Sequence, residues 1–253
     1  MNESPVHIGF LLFPLVTQLD LTGPAQVLSR VPNARVHLVW KTTEPVTTDV
    51  GFAIVPTTTF DSCPPLDVLC VPGGFGVGEQ ITDEKTLAFV RRQGEQARFL
   101  TSVCNGALVL GAAGLLQGYR SACHWMWRGY LPRFGAIPVA ERIVRDRNRI
   151  SGGGVTAGID FGLALAAELA GDEVARSLQL AFEYDPKPPF DCGSPEKAGP
   201  ERVERLRSLQ AERIRQVEAR IDEAARALAE GVDLPMVGMS KLSRSQGEDW
   251  RRT

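Results

Sequence analysis

Cys104 stands in "TSVCNGALVLG" (101–111), where a strand-forming run gives way to a helix-forming one. A cysteine entering a helix faces the unpaired N–H groups of its first turn, whose partial positive charge stabilises a thiolate. Gly106, two residues on, permits a sharp strand-to-helix turn of the kind that presents a nucleophile. This is the placement of a sulfur nucleophile for covalent chemistry. The other cysteines stand at 63, 70, 123 and 192, with no C-x-x-C pair among them. That spacing argues against a disulfide framework and against a structural zinc site. Cys70 within a strand, and Cys63 and Cys192 in loops, read as inert thiols, and Cys123 as a bystander in the pocket wall.

A sulfur nucleophile needs a proton carrier. Asp20 follows the apolar run "IGFLLFP" and precedes "LTGPAQVL". With Pro24 at the first helical position, Gly23 is the cap and Asp20 stands three residues too early to cap. A carboxyl there, at the end of an apolar strand, is a candidate acid or base with a raised pKa. Gly73 and Gly74 in "PGGFGVG" can turn two backbone N–H groups inward as an oxyanion-type pair. His124, in "SACHWMW" and 20 residues after Cys104, is placed to act as a base for the thiol, and a hydrogen-bonded structural histidine fits it equally well. His7 and His37 fall at or within early strands and are left out of the site. Phe75, Trp125 and Trp127 supply apolar wall or core. "SGGGVTAGID" (151–160) lacks both the phosphate-loop lysine and the dinucleotide glycine frame, so it reads as close packing beside the cysteine helix.

The elements that hold these residues alternate. "VHIGFLLF" (6–13), "ARVHLVW" (34–40), "LDVLCV" (66–71) and "RFLTSV" (98–103) read as strands, with helical patterns at about 18–31, 83–96 and 105–115 between and after them. Continuous apolar runs of this kind suit a mostly parallel sheet covered by helices on both faces. Asp20, the Gly73–Gly74 pair and Cys104 all follow strand carboxyl ends, where such sheets bind ligands. Shorter strands are expected near 120–124, 136–145 and 149–151, then helices at 157–170 and 173–183. Residues 185–200 hold five prolines and read as a loop or linker. Apolar residues from Val203 to Leu228 recur at helical spacing, which predicts one helix over about 201–230, roughly 45 Å long. The tail from Gly231 is polar and aperiodic and is expected to be mobile.

The 253 residues are 43% hydrophobic and carry a net charge of −2, enough to bury a full core and too little charge to favour nucleic acid or an anionic membrane. The N-terminus has no basic lead and only a short apolar run, so a cytoplasmic protein is expected.

The segments 8–24, 63–78, 101–120, 124–125, 135–139 and 151–169 resemble the DJ-1/PfpI superfamily, and "EYDPKPPFDCGSP" (183–195) is similar to its isocyanide hydratase branch. The resemblance implies a flavodoxin-like α/β three-layer sandwich over residues 1–195, a class I glutamine amidotransferase-like domain, and the long helix of the C-terminal segment (196–230) is expected, from its length, to pack on the domain or a dimer partner. It implies a homodimer, no metal or organic cofactor, Cys104 as nucleophile, Asp20 as acid, and hydration of a small isocyanide to an N-formamide. Asn105 departs from the threonine usual in that branch, and from the histidine of the protease-like branch. Two other readings share the elbow cysteine: a thiol enzyme acting on aldehydes or oxidants, more often with glutamate at the Asp20 position, and the sensor half of an AraC-type regulator.

Overall fold

The computed structural model describes residues 4–231. Its strands are β1 Val6–Leu11, β2 Ala34–Trp40, β3 Val46–Thr47, β4 Ala53–Ile54, β5 Thr58–Thr59, β6 Val68–Val71, β7 Phe99–Val103, β8 Arg120–Ser121, β9 Ile137–Pro138, β10 Ile143–Asp146 and β11 Arg149–Gly152. The α-helices are α1 Gln18–Leu28, α2 Val77–Gln80, α3 Glu84–Gly94, α4 Ala107–Ala112, α5 Ala157–Ala170, α6 Asp172–Ala181, α7 Pro195–Ala198, α8 Pro200–Leu209 and α9 Ala211–Ala229. Short 3₁₀ turns cover Cys104–Gly106 and Arg128–Phe134.

Seven strands form the main sheet in the order β10-β11-β7-β6-β1-β2-β5. Every neighbouring pair is parallel except β10 with β11. All of β6 and the last four residues of β1 are buried, which is why both read as unbroken apolar runs. From β1 the chain moves outward through β2 to β5, then returns to the opposite side of β1 with β6. The strand order therefore reverses between β1 and β6, and the crevice beyond their carboxyl ends is where an open α/β sheet takes a ligand.

Three expectations change. α1 begins at Gln18 after an extended Thr17, so Pro24 lies inside the helix and Asp20 is its third residue. Proline in a helix interior forfeits the bond to the carbonyl four residues back. Packing against α5 overrides that cost: Gly158 and Gly162 bring α5 close onto Pro24 and Val27, where even a Cβ would be tight. The glycine-rich segment thus packs on the helix of the acid rather than on that of the cysteine.

The single C-terminal helix is also divided. α8 and α9 part at Gln210, whose ψ of 4° is outside the helical range. Val217, Ile221 and Ala224 of α9 are buried against the domain, with Val217 on Gly78 of α2, whereas α8 buries no residue. Packing on one segment and none on the other sets two axes where periodicity suggests one. Finally, the expected strand at 136–145 is two short ones, β9 and β10, in different sheets. Residues 232–253, including nearly all of the tail from Gly231, lie outside the described residues.

Candidate active site

Cys104 closes β7 with a φ of 58°, a left-handed backbone that costs a non-glycine residue roughly 1–2 kcal/mol. The neighbouring Gly106 fixes the turn, because a Cβ there would collide with the Val71 and Pro72 carbonyls at the end of β6. Only 7% of Cys104 is exposed. Burial is the main influence on its thiol and pushes the pKa well above the usual value; the Asp20 charge adds to this, and the Asn105 N–H opposes it. The expected helix-terminus effect is present in that N–H but is outweighed, since α4 starts only after the 3₁₀ turn and runs six residues. The resting group is a thiol with a buried carboxyl beside it.

That carboxyl is Asp20, 1% exposed. Its Oδ2 accepts a 2.9 Å hydrogen bond from Gly73 N–H. Its Oδ1 is buried with no hydrogen-bond partner. Burial raises the carboxyl to about 7; the Gly73 and Cys104 interactions pull it down, and the nearby Asp49 charge lifts it further. Above about pH 7 the carboxyl is ionised while the thiol keeps its proton, so the pair holds one proton, which suits proton transfer between them.

The expected oxyanion pair is differently employed. Gly73 N–H serves Asp20, and Gly74 N–H donates to Asn105 Oδ1 at 2.8 Å. Asn105 Nδ2 returns a bond to Gly74 C=O at 3.2 Å, so the side chain after the nucleophile grips the β6 loop at two points. A Cβ on Gly73 would collide with both Asn105 Oδ1 and Asp20 Oδ2. These two glycines orient the acid and the elbow; neither N–H is left to meet substrate.

His124 borders the same cavity as Cys104. Its Nδ1 accepts from Met126 N–H at 3.3 Å, and burial lowers its pKa. An accepting Nδ1 fits the second of the two expected roles, a hydrogen-bonded histidine, with the ring proton on Nε2. His7 Nδ1 and His37 Nε2 pair with each other at 2.9 Å across β1 and β2. Burial pushes Cys63 to about 11, and Cys70 and Cys123 to about 12, leaving all three as thiols. Cys192 is exposed.

The cavity over Cys104 is about 240 Å³. That is below the roughly 300–1,000 Å³ of sites for drug-sized ligands, so it suits a small molecule. Phe75 and Trp127 line it, as the sequence suggests, while Trp125 faces the adjoining groove instead. Four further polar lining residues carry no sequence signal: Thr17, Asp49, Gln210 and Arg213. Asp49 Oδ2 accepts from Thr17 Oγ1 at 2.7 Å, and its Oδ1 is buried without a partner.

A cysteine on a strained elbow, beside a buried carboxyl at the switch point of a mostly parallel sheet, defines a class of α/β proteins with an elbow thiol. Within it, residues 6–168 match the DJ-1/PfpI family model, and the chain belongs to the DJ-1/PfpI family. The chain is 60% identical to the isonitrile hydratase of Pseudomonas putida, over 76% of this chain and 85% of that one. It is 30% identical to the HTH-type transcriptional regulator GbdR of Pseudomonas aeruginosa, over 73% of this chain and 52% of the regulator. The crystal structure of a THiJ/PfpI family protein from Pseudomonas syringae superposes with a TM-score of 0.83 at 46% identity, covering 86% of this chain and 91% of that one.

Proposed function

We propose that this protein is an isonitrile hydratase, adding water to an isocyanide to give an N-formamide, with Cys104 as nucleophile and Asp20 as proton carrier. The observation that carries the reading is the buried carboxyl, raised to about 7, beside the elbow thiol in a chain 60% identical to an enzyme of that activity.

An isocyanide, R–N≡C, has an electrophilic terminal carbon. The Asp20 carboxylate takes the Cys104 proton as sulfur bonds to that carbon, then gives the proton to the same carbon, leaving the thioimidate R–N=CH–S–Cys104. Asp20 next takes a proton from water as the hydroxyl adds to the carbon, and returns it to nitrogen. The C–S bond then breaks while the hydroxyl proton passes to sulfur, releasing R–NH–CHO and the thiol. Nothing is oxidised or reduced. His124 Nε2–H and the Asn105 grip on Gly74 orient the substrate and the elbow.

Incubation with an aryl isocyanide, with formamide followed by ultraviolet absorbance, is the direct test. Wild type is expected to turn over, and Cys104→Ala and Asp20→Asn to lose 10³-fold or more, about the scale of removing an essential nucleophile. Because the reactive state holds one proton across the pair, kcat/KM should rise as pH passes about 7, the pKa of Asp20, and fall in the alkaline range where the thiol ionises. Turnover that survives Cys104→Ala would refute the assignment.

We further propose a homodimer in the cytoplasm. Leu180, Phe190 and Leu209 are left exposed on the C-terminal segment, and the five free thiols suit a reducing compartment. Sedimentation equilibrium reads the first point, and fractionation of the source cells the second.

A further inference from the structure

Part of the cavity wall lies beyond the region the family match covers. The match spans residues 6–168, yet Gln210 and Arg213, from the junction of α8 and α9, line the same cavity as Cys104. The Arg213 guanidinium lies 3.7 Å from the centre of the Phe75 ring, and its Nη1 donates to Gln210 Oε1 at 3.1 Å. Its neighbours Arg215 and Arg220 are ion-paired with Glu212 and Glu79, whereas among the described residues Arg213 has no carboxylate partner. A guanidinium held flat on an aromatic face offers its remaining N–H groups edge-on, the geometry that takes a carboxylate by two parallel bonds.

Charged side chains of both signs share the cavity wall. Asp49, whose Oδ2 accepts from Thr17 Oγ1, lines the cavity together with Cys104. Arg213 comes from α9, an element apart from the segments after β1, β6 and β7 that carry Asp20, Gly73 and Cys104, and it enters the cavity wall beside Phe75. A substrate with its isocyano carbon at Cys104 would direct its substituent toward this cation.

We infer that Arg213, held by Phe75 and Gln210, is a specificity-determining residue that selects isocyanides bearing a carboxylate remote from the isocyano group. The inference rests on the hydratase reading, and the two can fail separately.

The test compares 4-isocyanobenzoate with its neutral isostere 4-isocyanobenzamide, formamide being measured for both. Wild type is expected to favour the carboxylate in kcat/KM by about tenfold or more, the scale of one charge-assisted hydrogen bond, with the difference in KM. Arg213→Met should bring the ratio toward one, and Arg213→Glu should shift preference to an isocyanide bearing an aminomethyl group. Equal use of benzoate and benzamide by wild type overturns the inference while the hydratase reading stands. A carboxylate preference that persists in Arg213→Met also overturns it. Formamide from neither compound removes both.

Discussion

Asp20 meets two opposed demands at one carboxyl. Catalysis calls for a group that exchanges a proton near neutral pH, and the site supplies this by withholding water and leaving Oδ1 without a hydrogen bond. Folding bears the cost. Because the folded pKa of about 7 lies above the unfolded value of 3.8, the native state binds the proton more tightly, and ionisation destabilises it as pH rises from about 4 through 7. Asp20→Asn keeps an acceptor for Gly73 N–H and removes the buried charge. It should therefore be more stable than wild type at pH 8, by at most about 4 kcal/mol, with the gain shrinking toward pH 4. Urea unfolding at pH 5 and pH 8 measures this, and a pH-independent difference would contradict it. The sequence makes the placement of Cys104 and Asp20 legible because each follows a strand end. The employment of Gly73 and Gly74 is not legible, since it depends on Asp20 and Asn105 arriving from other elements.

At the scale of elements, the site is where the loops after β1, β6 and β7 lock together. Asn105 is the tie between two of them: truncation to alanine leaves buried Gly74 N–H and C=O groups without their partner. Asn105→Ala should cost about 1–3 kcal/mol in urea unfolding and lower kcat by roughly 10- to 100-fold as the elbow shifts. Full activity in that variant would show that the grip is incidental. The main strands are legible because burial on both faces leaves an apolar run. The start of α1 is not, because Pro24 reads locally as a helix start, and only the fit of Gly158 and Gly162 against it keeps the helix intact. Likewise Gln210 gives no local sign of a break: the kink follows from α9 being seated on the domain while α8 is not.

At the scale of the molecule, the cavity is composite. The region that matches the family carries Cys104 and Asp20, and the C-terminal helices supply a wall. Arg213 is one of many charged residues in its helix, so composition hides it; only the docking of α9 singles it out. No described helix is long and apolar enough to cross a membrane. The central claim is that isocyanide becomes covalently joined to Cys104 on its way to formamide. The most direct test is rapid-quench intact-mass spectrometry of the full chain mixed with an aryl isocyanide. The expected result is a transient adduct equal to the mass of the whole isocyanide, mapped to the Cys104 peptide, rising and decaying as formamide appears and absent from Cys104→Ala. Formamide formed at the wild-type rate by Cys104→Ala, with no adduct on the wild type, would contradict the account.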